Sequence, residues 1–134
     1  MSGPRRGGLH HLELWLDAAT DPAGPWPWLL RRLGYRLEST WSTGQTWALG
    51  DTYVVLESGP DHVRGPQRRT ASGMNHVAFW AGPRDDVDAL ARDATGHGWS
   101  LMFADRHPYA GGPEHYAAYL EDAAGFEVEL VAEA

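Results

Sequence analysis

The 134-residue chain contains no cysteine and no lysine. The lack of cysteine excludes disulfide bonds, thiolate catalysis and cysteine-type zinc sites. The lack of lysine excludes a Schiff base on a lysine amine. No apolar run approaches the roughly 18 residues that a membrane span needs. Residues 1–8 carry Arg5 and Arg6 without an apolar core after them, so we expect no export signal and a cytoplasmic protein.

Positive charge is also scarce, and the formal net charge is −7. This balance argues against a nucleic-acid partner. It suits a cationic ligand, although mild acidity more commonly serves solubility. The seven tryptophans are many for this length. We expect most of them in the core and some in the wall of a cavity for a flat or apolar small-molecule ligand.

One eight-residue pattern occurs twice, over Gly8–Trp15 and Gly73–Trp80. Both copies read glycine, apolar, polar, histidine, apolar, variable, apolar, tryptophan. A half-buried strand alternates its faces with period two, so His11 and Trp15 share one face, as do His76 and Trp80. The repeat therefore predicts two related modules that each point one histidine into a common space. The matched tryptophans are candidate substrate-binding walls.

The chain is predicted to form one α+β domain of two βαβββ modules. Module one covers about 8–58, a linker 59–72 and module two about 73–132, within a single domain 1–134. The first predicted helix covers 28–33, after proline-rich 17–27, in which Pro25 or Pro27 suits a first helical turn. The second covers Pro83–His97, where Gly98 stops a run of apolar residues at helical spacing. Strands are expected over 9–16, 35–41, 45–49, 52–58, 100–104, 115–121 and 126–132.

His11, His76 and Glu129 form the principal predicted site. Glu129 alternates with a predicted buried face on the last strand. Two imidazoles and one carboxylate on rigid strands suit a divalent transition metal and leave positions open for water or substrate. Glu57 ends the corresponding strand of module one. We predict it as a fourth metal ligand or as a catalytic base, with a rim position as the competing interpretation.

Four further residues are candidates for supporting roles. His115 and Tyr119 share a face of the predicted strand 115–121, where His115 could move protons and Tyr119 could donate a hydrogen bond to substrate. Packing roles explain them equally well. Arg106 and His107 lie in the polar segment Asp105–Pro113, which is predicted as a loop over the cavity. They could clamp an anionic substrate, although exposed loop residues of these types commonly have no such role.

Three motifs together resemble the vicinal oxygen chelate superfamily: Gly8–Leu14, Gly73–Phe79 and Glu121–Leu130. This superfamily includes glyoxalase I, extradiol dioxygenases, fosfomycin-modifying transferases and bleomycin-resistance proteins. The resemblance extends from about Gly8 to Ala132 and is strongest to its glyoxalase-like members. It implies sheets that curl around a metal site, with Zn, Ni, Co, Mn or Fe(II) as the ion. It also implies a homodimer, and it likens Glu57 to the additional glutamate ligand of glyoxalase I.

Three functions remain open from the sequence. The first is a metal-dependent enzyme acting on a small oxygen-rich substrate, with glyoxalase-like lyase or isomerase chemistry ahead of extradiol-type dioxygenase chemistry. The second is a non-catalytic drug-binding protein of the bleomycin-resistance kind, which acidity and many tryptophans favour. The third is an interaction domain without a site. The paired histidines favour the enzyme, because a binding protein does not need a metal triad.

Overall fold

A computed structural model of the protein describes residues 3–134, and the chain divides into two units. Unit 1 contains the chain up to Pro22 together with Leu30–Arg64. Unit 2 contains Ala23–Leu29 together with Gly65–Ala134. Met1 and Ser2, with which the predicted single domain begins, lie outside the described residues.

The elements follow the predicted order of strand, helix and three strands, twice. They are β1 (His11–Trp15), α1 (Pro25–Arg32), β2 (Arg36–Trp41), β3 (Gly44–Leu49), β4 (Thr52–Glu57), β5 (Val77–Trp80), α2 (Arg84–Ala94), β6 (Trp99–Leu101), β7 (Ala117–Asp122) and β8 (Glu127–Val131). Each unit contains one mixed four-stranded sheet, ordered β1-β4-β3-β2 in unit 1 and β5-β8-β7-β6 in unit 2. The predicted α+β class with two βαβββ modules is confirmed.

In unit 1, β1 runs parallel to β4 and the other pairs are antiparallel. One face of the sheet buries Leu14, Val54 and Leu56. Because side chains alternate along a strand, the other face carries His11, which pairs in register with Tyr53. The predicted alternation of β1 is therefore present.

In unit 2, β5 runs parallel to β8, and β8 and β6 run antiparallel to β7. Helix α2 packs against β6 and β7. Its buried side chains are those predicted from helical spacing, namely Val87, Leu90, Ala91 and Ala94. The helix ends at Ala94, three residues before the predicted end at His97, and Gly98 follows at φ +88°.

Helix α1 begins at Pro25, which suits a first helical turn because proline has no N–H to leave unpaired. Its first half belongs to unit 2. There the buried ring of Trp26 meets Trp99 and Phe126 edge-on, at centroid distances of 5.3 and 5.9 Å. The indole N–H of Trp99 donates to the carbonyl of Pro25 at 3.0 Å. The sequence predicted a helix over 28–33, with Pro25 or Pro27 suited to the first turn.

Two predicted strands are shortened at the ends next to the Asp105–Pro113 loop. The strand expected over 100–104 ends at Leu101, because Phe103 adopts φ +55°, which a strand does not accommodate. The strand expected over 115–121 begins at Ala117, so His115 precedes it. The predicted linker and the predicted Asp105–Pro113 loop contain neither helix nor strand. Within the described residues, no helix is long and apolar enough to span a membrane.

Candidate functional site

The candidate site of unit 2 is centred on Glu129 of β8. Val128 and Leu130 are fully buried on one face of this strand, and Glu129 points from the other face as predicted. That face is also covered, because Glu129 is only 6% exposed. A buried carboxylate needs polar partners to offset the loss of water.

A histidine nitrogen lies beside each of the two carboxylate oxygens of Glu129. Nε2 of His76 lies 3.1 Å from Oε1 of Glu129. Nε2 of His115 makes a short hydrogen bond to Oε2. His76 immediately precedes β5, and the β5–β8 register places Ala78 beside Glu129. The structure therefore brings together three of the predicted site residues within one unit.

A cavity of about 660 Å³ opens onto this cluster. Its lining combines the three polar groups with apolar side chains: His76, Ala78, Phe79, Trp80, Gly111, His115, Tyr119, Glu129 and Val131. Such a combination of apolar wall and a few convergent polar groups is typical of a small-molecule site. Trp80, a predicted substrate wall, is 76% exposed beside it.

Tyr119 stands next to the carboxylate, since Tyr119 of β7 pairs in register with Glu129 of β8. Burial raises the pKa of the Tyr119 hydroxyl, and the negative charge of Glu129 raises it further. Tyr119 therefore keeps its proton at neutral pH and can donate a hydrogen bond into the cavity.

The Asp105–Pro113 loop contributes Gly111 to the cavity. A Cβ atom at this position would lie 2.6 Å from Cδ2 of His115 and 2.7 Å from the hydroxyl of Tyr119. Only glycine permits this close approach of the backbone. Arg106 and His107, the two residues predicted to clamp a substrate, both contact Phe103. The Arg106 guanidinium packs over its ring, and the backbone N–H of His107 donates to its carbonyl.

Behind His76 lies a set of polar residues to which the sequence assigned no role. Nδ1 of His76 lies 2.7 Å from Oδ1 of Asn75, and Nδ2 of Asn75 donates to the carbonyl of Arg69. The Arg69 guanidinium pairs with buried Glu127 at 3.2 Å. The one available signal was the repeat, which aligns Asn75 with His10.

The remaining predicted residues lie in unit 1. His11 stacks on the ring of Tyr53 at 4.6 Å. Trp15 donates to Glu13 at 2.7 Å. Glu57 accepts hydrogen bonds from the Trp41 indole at 3.3 Å and from the backbone N–H of Ser58 at 3.1 Å.

The strand registers show which residue of β4 matches Glu129 of β8. Glu129 pairs with Ala78, two residues after His76. In unit 1, the residue two after His11 is Glu13, and it pairs with Val55. Val55 thus occupies the matched position, and Glu57 lies two residues beyond it.

In the described part of the chain, no three or more His, Cys, Asp or Glu side chains are grouped so as to enclose a metal ion. The donor types at Glu129 nevertheless suit a divalent transition metal, because imidazole and carboxylate are among its preferred ligands. Ligand atoms of one ion, at bonds of about 2.0–2.2 Å, stand roughly 3 Å apart. The 3.1 Å between His76 and Glu129 fits that spacing.

Comparison with known proteins gives close matches over nearly the whole chain. The model of the Glyoxalase/Bleomycin resistance protein/Dioxygenase superfamily matches residues 28–119. The uncharacterized protein YqjT of Bacillus subtilis is 36% identical over 125 residues, which are 92% of this chain and 98% of YqjT. A crystal structure of a candidate glyoxalase from Bacillus halodurans is 39% identical, with a TM-score of 0.86 over 96% of this chain and 97% of that chain.

More distant solved structures share the fold. Lactoylglutathione lyase from Agrobacterium tumefaciens has a TM-score of 0.63 at 17% identity, covering 96% of each chain. A mutant of the fosfomycin resistance protein FosX from Listeria monocytogenes, in complex with Mn(II) and a dihydroxypropylphosphonic acid, has a TM-score of 0.66 at 17% identity. It covers 97% of this chain and 93% of that chain.

Proposed function

The chain belongs to the glyoxalase/bleomycin resistance protein/dioxygenase superfamily, and on this premise we propose that it is a metal-dependent enzyme acting on a small oxygen-rich molecule. The favoured chemistry is that of a glyoxalase-like isomerase or lyase. Members of this fold include a lactoylglutathione lyase and a Mn(II)-binding resistance protein. These relatives support the class of reaction without identifying the substrate.

The observation that carries the proposal is the buried Glu129 carboxylate with an imidazole at each oxygen, beside a cavity. In this assignment His76 and Glu129 hold the metal, and His11, at the matched position of the repeat, stays a predicted ligand. When bound, the ion supplies a Lewis acid that polarises a substrate oxygen and stabilises negative charge on it.

The proton chemistry is assigned to His115. Because a carboxylate only accepts, the bond to Oε2 of Glu129 places the His115 proton on Nε2 and leaves Nδ1 as the basic nitrogen. His115 takes a proton from a carbon next to a carbonyl and returns it to the neighbouring carbon. Tyr119, which stays protonated, donates to the substrate oxygen that gains charge. The role of Glu57 as a base or ligand stays a prediction.

Glu129→Gln tests the metal assignment, because it removes the charge and keeps the shape. Protein purified without an affinity tag or chelator is analysed for bound metal and titrated with Mn(II), Ni(II) and Zn(II). We expect about one ion per chain in the wild type and a loss of affinity of at least about tenfold in the variant. Glu114→Gln, an exposed carboxylate in the neighbouring loop, is the matched control and keeps wild-type affinity.

The metal-loaded protein is then assayed with hemithioacetals of 2-oxoaldehydes and small thiols, and His115→Ala is expected to lose turnover while it retains the metal. Equal metal affinity in Glu129→Gln and wild type, or a wild type that binds none of the three ions, contradicts the proposal. The exposed Trp80 ring at the cavity favours one alternative, a non-catalytic protein that binds a flat ligand. Quenching of tryptophan fluorescence by aromatic ligands, without metal or turnover, would identify it.

A further inference from the structure

The Nδ1 side of His76 is fixed by a hydrogen-bond chain that reaches into the linker. Nδ2 of Asn75 donates to the backbone carbonyl of Arg69 at 3.0 Å. A carbonyl oxygen accepts and cannot donate, so the amino end of the Asn75 amide is the end that faces Arg69. The amide oxygen is then the atom 2.7 Å from Nδ1 of His76. Since that oxygen also only accepts, the proton between the two side chains belongs to His76.

We propose that Asn75 is a positioning residue that keeps the proton of His76 on Nδ1 and thereby directs the lone pair of Nε2 into the cavity. A neutral imidazole has one donor and one acceptor nitrogen. With Nδ1 donating, Nε2 faces Oε1 of Glu129 at 3.1 Å as a second acceptor. A cation between them satisfies both atoms. The inference rests on the proposed function for the identity of that cation and adds the residue that prepares its ligand.

Arg69 has a second anchor, which holds the chain near Asn75. Its guanidinium pairs with Glu127, whose side chain is 4% exposed. A buried charge that loses its partner is costly, so this ion pair favours a position of the linker that keeps Arg69 beside Glu127. The carbonyl of Arg69 is thereby held where Asn75 needs an acceptor. The predicted linker thus contains a residue, Arg69, that helps to orient His76.

Unit 1 has a contact with Nδ1 of its histidine at the matched position. Nδ1 of His11 lies 2.9 Å from Nδ1 of His10, and His10 is the residue that the repeat aligns with Asn75. In both units, therefore, the residue before the matched histidine engages Nδ1 and leaves Nε2 for another partner. Outer hydrogen bonds of this kind fix the tautomer of metal-binding histidines.

The tautomer is measured directly by long-range ¹H–¹⁵N NMR on metal-free protein with ¹⁵N-labelled histidine, with His76→Gln to assign the signals. Spectra are recorded at alkaline pH, because only a neutral imidazole has one donor and one acceptor nitrogen to distinguish. We expect Nδ1–H in the wild type and in Asn75→Asp, which keeps an acceptor. In Asn75→Leu we expect the proton on Nε2, donated to Glu129.

The same variants are titrated with Mn(II) and Zn(II). Asn75→Leu is expected to lose about tenfold or more in affinity, and Asn75→Asp to retain it. Gln67→Leu is the matched control, because it removes another side-chain hydrogen bond of the linker, to the carbonyl of Met74, without touching His76. It is expected to change neither the tautomer nor the affinity.

Nε2–H in the wild type, or an unchanged tautomer in Asn75→Leu, overturns the proposal whatever the metal result. A changed tautomer with unchanged metal affinity also overturns it. If the wild type carries Nδ1–H, Asn75→Leu shifts the proton and no ion binds to either, the positioning role stands and the proposed metal function fails. The two failures are therefore distinguishable.

Discussion

At the scale of single residues, the site depends on a carboxylate that water scarcely reaches. Glu129 is 6% exposed, its Oε2 accepts a hydrogen bond from His115, and its Oε1 faces Nε2 of His76. Desolvation of a charge is costly, and only well-placed partners offset it. The position of His115 is thus coupled to this carboxylate through its hydrogen bond to Oε2.

Gly111 offers a test of this coupling. In Gly111→Ala the new methyl group overlaps Cδ2 of His115 and the hydroxyl of Tyr119. Both atoms belong to side chains that can rotate, so we expect the overlap to displace His115 from Glu129 at a cost of about 1–3 kcal/mol in the free energy of unfolding. The Nε2–H signal of His115 in ¹H NMR reports the displacement, and urea unfolding gives the stability.

Gly96→Ala is the control, because its Cβ would meet only the carbonyl oxygen of Asp93 at an ordinary 3.6 Å. Its unfolding free energy is expected to stay within about 0.5 kcal/mol of wild type. An unshifted His115 signal in Gly111→Ala would show that the loop moves and the histidine does not, and the coupling would then be rejected.

At the scale of elements, helix α2 is joined to the start of β7 by a polar contact outside the cavity. The hydroxyl of Tyr116 donates to the Asp88 carboxylate at 2.5 Å, and the guanidinium of Arg84 lies 4.7 Å from the centre of the Tyr116 ring. Tyr116 adjoins His115 along the chain. This contact therefore fixes the chain just before the strand that carries Tyr119.

The hydrogen bond to Asp88 raises the pKa of Tyr116 to about 12, with burial adding to the effect. A raised pKa in the folded state stabilises the fold below the unfolded value of about 10, and this contribution is lost as pH rises through the folded value. We expect an absorbance titration at 295 nm to contain a tyrosine near pH 12 that disappears in Tyr116→Phe. In Asp88→Asn it should titrate lower, and an unchanged titration there would exclude Asp88 as the cause.

Local patterns predicted the elements well where the relevant contacts are close in sequence. Helical spacing identified the buried face of α2, and alternation placed Glu129 opposite Val128 and Leu130. Proline chemistry allowed a first turn of α1 at Pro25 or Pro27. The packing of Trp26 on Trp99 and Phe126, which lie far along the chain, is encoded by no local pattern.

The site residues likewise include some that the sequence predicted and some that it did not. The repeat predicted His76, and the two-residue period of a strand predicted that its side chain faces the cavity. The role of Asn75 depends on the carbonyl of Arg69, and the position of Gly111 on a loop folded back over Tyr119. Strand pairing also determines that Val55, and not Glu57, matches Glu129. Such relations depend on tertiary contacts and register, which composition and spacing leave undetermined.

At the scale of the whole molecule, the net charge of −7 favours the approach of cations to the surface. The family places the chain among proteins that act on or bind small molecules. Assembly into a homodimer stays a prediction of the resemblance, to be measured by sedimentation equilibrium. Metal binding to the folded chain can be measured for the whole molecule as the difference in Tm with and without metal.

A ligand that binds only the folded state stabilises it by mass action, by about 2.7 kcal/mol at a hundred times its Kd. We therefore expect calorimetry to give a Tm several degrees higher with the preferred ion than after EDTA treatment. His76→Ala should lose this difference, because it removes a proposed ligand. Its metal-free Tm should stay close to that of the metal-free wild type, since the His76 side chain is 33% exposed and contributes little to the core. An equal metal-induced shift in His76→Ala would place the ion elsewhere on the molecule, whereas unfolding of the metal-free variant would make His76 a structural residue.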